Sequence, residues 1–155
     1  HFAALSPNDE GLSNYGDCSI TLREELISHR TTVFNENMLE FFGRHGNKYF
    51  KTGPFPPGNL TVWDDRGKLA VAKHAGELKE KSDESDFPSV LLTSGSDTTD
   101  DRFIELHILG GMTVRTFEKV VLTSRPNGTA PAIVKGLRLG LKKHGVEWAD
   151  RSTTR

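Results

Sequence analysis

"TTDDRFIELHILGGMT", Thr98 to Thr113, is the stretch on which the rest of the chain turns. From Arg102 to Leu109 apolar and polar residues alternate, the pattern of a β-strand with one buried face. Side chains two apart in a strand point the same way. Ile104, Leu106 and Ile108 therefore share the face toward a core, and Glu105 and His107 project side by side from the other. That polar pair has a plain reading, the wet face of an antiparallel sheet. It also has a chemical one, a carboxylate that orients an imidazole or moves protons with it. A glutamate at the mouth of a cleft can instead stabilise an oxocarbenium-like centre.

Outward from this strand, "DCSITL" alternates Cys18, Ile20 and Leu22 against Ser19 and Thr21 and predicts a half-buried strand, followed by a helical turn in "REELISH". "RTTVF" reads as extended. Asn35 is the expected N-cap of a helix over "ENMLEFFGRHG", with Met38, Leu39, Phe41 and Phe42 toward the core and Gly43 or Gly46 as its stop. "KYFKTG" and "LTVW" predict further strands around the proline-rich "PFPPGN". Leu69, Ala72, Ala75 and Leu78 have helical spacing, which predicts a helix from Arg66 to Lys81. After the Gly110–Gly111 bend, "EKVVLTS" is a strong strand. "APAIVKGLRLGLKKHG" is a basic amphipathic helix with Ile133, Val134, Leu137 and Leu141 inward and Gly145 beyond its end. Strands, then helices, then strands again imply an α+β fold: one domain over 1–155, with a mixed, mainly antiparallel sheet, flanking helices, and residues 1–14 as a loop or tail.

Composition narrows the classes. Hydrophobic residues at 35% and charged residues at 26% suit a globular chain rather than a disordered one. There is no apolar run long enough for a membrane span and no leader of the secretory type. The start without Met reads as an excised domain of a larger, secreted protein, with His1 as a tag remnant. The formal net charge of −1 speaks against affinity built on broad phosphate contact. The charge is uneven, however: Gly76–Glu105 carries nine acids and three bases, and Ser124–Arg155 seven bases and two acids. Two solvated faces, or a basic patch for an acidic partner, would both explain that.

Cys18 is the single cysteine and its alternation with Ile20 marks it as a small buried hydrophobe rather than a nucleophile. The six histidines show no metal-ligand spacing, so no metal is expected. In "SHRTTVF", Arg30 and Thr32 share a strand face and offer a guanidinium fork and a hydroxyl for a phosphate; an ordinary polar face is the alternative. His29 beside them is either structural or catalytic. "NLT" and "NGT" match the glycosylation pattern by chance, and "GRHGNKYF" lacks the lysine and serine spacing of a phosphate loop.

Two blocks, "YGDCSITLREELISHRTTVF" (Tyr15–Phe34) and "DDRFIELHILGGMTVRTFEKVVL" (Asp100–Leu122), resemble in order and separation bacterial toxin-like domains related to mono-ADP-ribosyltransferases. The resemblance implies NAD as substrate, Glu105 as the catalytic glutamate, and Arg30 with Thr32 as the groups holding the NAD phosphates or ribose. The chain departs from the family pattern at Phe103, where the Glu-x-Glu pair would begin, and in having no Ser-Thr-Ser strand.

Three expectations follow. The first is an NAD-using effector or toxin domain in which Glu105 stabilises charge as the glycosidic bond breaks and His107 orients it, with a protein or nucleic acid as acceptor and an immunity protein as partner. That role expects Glu105 in a cleft with the Arg30 guanidinium within roughly 4–6 Å. The second is a metal-independent ribonuclease using His29, His107, Arg30 and Lys119. The third is a non-enzymatic immunity or adaptor module that binds through the acidic Gly76–Asp101 flank, including Asp97, Asp100 and Asp101.

Overall fold

The computed structural model of the chain describes residues 1–8, 11–16, 18–78, 82–122 and 131–150. Its strands in chain order are β1 (Phe2–Ala4), β2 (Cys18–Leu22), β3 (Thr31–Phe34), β4 (Leu60–Val62), β5 (Leu92–Thr93), β6 (Arg102–Phe103), β7 (Glu105–Ile108), β8 (Phe117–Leu122) and β9 (Glu147–Asp150). The helices are α1 (Glu24–Ile27), α2 (Met38–His45), α3 (Lys48–Thr52), α4 (Arg66–Lys73), α5 (Phe87–Leu91) and α6 (Pro131–Lys143). This is the expected α+β class, with mainly antiparallel sheets. Among the described residues no helix is long and apolar enough to cross a membrane.

The alternating stretch from Arg102 to Leu109 divides at Ile104. β6 pairs with β5, while β7 lies inside a four-stranded antiparallel sheet of order β1-β7-β3-β4. Ile104, Leu106 and Ile108 are buried and pack with Val33 against Ile27, Trp63 and Leu69. Burying each such side chain is worth about 1.5–3 kcal/mol. A slip of one residue would drive Glu105 and His107 into that core, so the hydrophobic pattern fixes the register. The second sheet has the order β2-β8-β9, and its β8–β9 pair is parallel. A parallel pair needs a crossover, and α6 lies on it.

Several expectations are corrected by tertiary context. Phe2–Ala4 is not loop: it adds to the free edge of β7, with Phe2 opposite His107 and Ala4 opposite Glu105. β9 also went unforeseen, being only four residues long. "KYFKT" is helix α3 rather than a strand, because Tyr49 then packs its ring 5.5 Å from that of Phe41 on α2. The cap of α2 is Asn37, whose side chain accepts from the Leu39 amide at 2.8 Å. Asn35 lies in the bend just past β3, its amide bonded to the Asn59 carbonyl at 2.9 Å. On α2 Met38 and Phe41 are buried, Phe42 is half-buried, and Leu39 is 78% exposed. α4 ends at Lys73, with Leu69, Ala70 and His74 inward while Ala72 and Ala75 are exposed. Cys18 and Ile20 are exposed, so the cysteine is no core residue. On α6 Val134 and Leu141 are half-buried while Ile133 and Leu137 are exposed.

Lys73 ties α4 to the end of the central sheet where β3 finishes and β7 begins. Its ammonium donates to the Asn35 carbonyl and, at 2.7 Å, to that of Phe103. Burial, aided by the Arg102 charge, lowers its pKa from 10.5 to about 8. Between about pH 8 and 10.5 the unfolded chain thus holds a proton that the folded one has released. Stability contributed by this group therefore rises with pH across that window. Urea midpoints should show a positive slope there in the parent protein, and Lys73→Met should remove it.

Candidate functional site

Glu105 and His107 do lie side by side. The ring Nε2 of His107 is 2.5 Å from Glu105 Oε1. What the strand pattern did not reveal is how differently the two are placed. Glu105 is buried, at 6% exposure. Its other oxygen, Oε2, accepts from the Met38 amide at 3.1 Å, at the N-terminus of α2. An anion there satisfies a free backbone donor and faces the positive end of the helix dipole. Both oxygens are thus committed to protein groups. His107 is the member that reaches the surface, its side chain 28% exposed.

The ring is held on three sides. Phe2 meets it edge-on at 4.6 Å, Phe34 lies against it at 4.2 Å, and Glu105 binds Nε2. With Nε2–H donating to the carboxylate, Nδ1 carries the free lone pair and is the ring's outward acid–base atom.

Sheet register supplies the neighbours. Thr32 is opposite His107 on β3, and Phe34 is opposite Glu105. Arg30 lies four residues before Phe34, about 13 Å along the strand direction at ~3.3 Å per residue. The expected Arg30–Glu105 cleft is therefore not formed, since the two groups sit at opposite ends of the same strand pair. Arg30 instead binds the turn that follows β7. Its Nε donates to Leu26 O at 3.1 Å, and its Nη1 to the carbonyls of Leu109 and Gly111. Gly110 in that turn has φ +82°, and a Cβ there would come within 3.2 Å of Arg30 Nη1. No ion pair to Arg30 exists among the described residues, so its charge is not neutralised by a carboxylate.

An open concavity of about 530 Å³ brings His29, Arg30, Thr32 and His107 together. Phe2, Val62 and Leu109, all largely exposed, form its apolar rim. Lys119 does not belong to it, lying on β8 between Thr21 and Glu147 in the second sheet. No group of three His, Cys, Asp or Glu is placed to hold a metal among the described residues.

Behind the pair is a polar network that the sequence did not disclose. Asn37 donates to the Tyr15 hydroxyl at 3.3 Å while capping α2. Burial, with the nearby Asp101 and Glu105 carboxylates, pushes the Tyr15 phenol pKa up. Asp101 is only 3% exposed and accepts from Asn14 and the Gly95 amide. It is therefore not part of a surface for an acidic-flank partner, and of that trio only Asp97 and Asp100 are exposed. Tyr15 and Asp101 each border one of the two blocks "YGDCSI" and "DDRFIEL", but nothing in their spacing ties them to Glu105.

The chain matches no protein-family model, no curated protein and no solved structure.

Glu105→Ala would leave the Met38 amide buried without a partner and His107 without its anchor. Loss of a hydrogen bond to a charged group of this kind costs about 1.5–3 kcal/mol. Urea denaturation should show a loss of that size, and Glu105→Gln, which can still accept from Met38, a distinctly smaller one.

Proposed function

We propose that this chain is a ribonuclease working by histidine acid–base catalysis, with His107 as base and His29 as acid. The observation that carries the reading is the carboxylate-held His107 imidazole in a concavity shared with His29 and Arg30. His107 Nδ1 takes the proton from a ribose 2′-hydroxyl, and the freed oxygen attacks the adjacent phosphorus. The bond from phosphorus to the 5′-oxygen breaks, and His29 delivers a proton to that leaving oxygen. The products are a 2′,3′-cyclic phosphate and a 5′-hydroxyl end. Arg30 brings its positive charge, and the Nη2 donors not taken up by the Leu26, Leu109 and Gly111 carbonyls, to the charge that builds on the phosphoryl oxygens. Thr32, next to His107, offers a hydroxyl to the same group. No step calls for a metal.

Positioned acid–base groups contribute about 10²- to 10⁴-fold to such reactions. His107→Ala and His29→Ala should each lower the rate of RNA cleavage within that range. Cleavage should persist in EDTA and leave cyclic phosphate ends, and DNA, which lacks the 2′-hydroxyl, should stay intact. Undamaged transfer and ribosomal RNA after long exposure to micromolar protein would remove the reading.

NAD is a second candidate substrate, supported by the resemblance and by Arg30 and Thr32 lining the same concavity as His107. In that chemistry an exposed glutamate should contact the nicotinamide ribose, whereas Glu105 is buried with both oxygens bonded. Nicotinamide release from NAD, with a protein or nucleic-acid acceptor present, would favour it over RNA cleavage.

A further inference from the structure

From Phe41 to Trp63 the chain has no acidic residue and carries Arg44, Lys48 and Lys51, a local excess of +3 in a chain of net −1. The same stretch is rich in rings, and they form a continuous series that begins at the candidate site. Phe34, against His107, is 5.7 Å from Phe55. Phe55 stacks on Tyr49 at 6.1 Å with an interplanar angle of 23°, and Tyr49 meets His45 at 5.4 Å. Phe34 and Phe41 are buried and form the floor of this series, whereas Phe55 and Tyr49 are half-buried and His45 is exposed. Lys48 stands 5.4 Å from the centre of the Tyr49 ring, and Lys51 is exposed one helical turn away on α3. Arg44 is engaged by Glu36 and Glu40, a group of net −1, which Lys48 and Lys51 turn into a small local excess of positive charge.

We propose that the Phe55–Tyr49–His45 edge, with Lys48 and Lys51, is a binding track for single-stranded RNA that leads away from the His107 concavity. Unpaired bases stack on exposed rings without regard to sequence, while cations follow the phosphates. The track rests on the ribonuclease reading and extends it: the substrate is single-stranded and longer than the two nucleotides that flank the scissile bond. It also supplies a local phosphate-binding charge that the chain's overall balance conceals.

Binding is measured with a short fluorescein-labelled single-stranded oligoribonucleotide, in a His107→Ala background so that it is not cut. Changing Lys48 and Lys51 together to Ala should weaken it about tenfold and flatten the log–log salt dependence by about 1.4, some 0.7 for each phosphate contact on a single strand. Tyr49→Leu should weaken it about tenfold, and Tyr49→Phe, which keeps the ring, should restore most of that affinity. With His107 intact, the lysine changes should leave cleavage of a dinucleotide unaltered. Unchanged affinity in the lysine and Tyr49→Leu variants, or duplex RNA held as tightly as the single strand, would overturn the track. Cleavage with binding indifferent to these residues removes the track and leaves the reaction standing. Binding that responds to them without any cleavage removes the reaction and leaves the track.

Discussion

A carboxylate buried on the middle strand of a sheet must find donors or lose far more than any packing there returns. Glu105 finds two, the Met38 amide and the His107 ring, and the arrangement of this face follows from them. The first bond sets where α2 begins and how close it lies to the sheet. That in turn places Phe41 and Met38 over Phe34 and closes a second, smaller core. The other bond turns the imidazole so that one nitrogen faces inward and the other outward. One side chain thus serves both as a helix anchor and as a ring orienter. This joins the stability of α2 to the geometry of the ring, because neither bond can be lost without disturbing the other.

How much of this was legible depends on the range of the forces involved. The burial of Ile104, Leu106 and Ile108 could be read from alternation alone, because pleat and solvent act on neighbouring residues. So could the nearness of Glu105 and His107, which is a property of one strand. The identity of Glu105's partners could not be read, since Met38 is 67 positions away and Arg30 looked equally suitable. "KYFKT" carries the aromatic character of a strand but is drawn into a helix by Phe41, and Asn35 is a good cap that the β3–β4 ladder claims first. Cys18 and Ile20 alternate correctly, but among the described residues no layer covers that side of β2. In each case a local preference was sound and a distant contact outweighed it.

The two faces of the four-stranded sheet divide its duties. One is mainly apolar, with the buried Thr31 hydroxyl donating to Ile27 O, and packs on Trp63, Leu69 and Ile27. Trp63 is itself held by its indole N–H to Glu24 at 2.8 Å and by the Arg66 guanidinium 4.4 Å above its ring. The other face is covered by α2 at the Glu105 end and open at the Thr32 end. The boundary between dry and wet falls on His107, where a ring can be fixed by packing and still meet solvent.

The pairing of β1 with β7 also bears on how the chain folds. His1 and Ile108 exchange backbone hydrogen bonds across 107 positions of sequence, and the strand between β1 and β3 in space lies more than seventy residues beyond β3 in the chain. Contacts of such separation are entropically dear to close and tend to form late. Until β7 arrives, β3 has only β4 beside it, and a lone two-stranded ribbon is marginal in water. Val33 and Phe34 then stay open to other chains, so recovery from denaturant should depend on protein concentration, with association competing against the arrival of the middle strand.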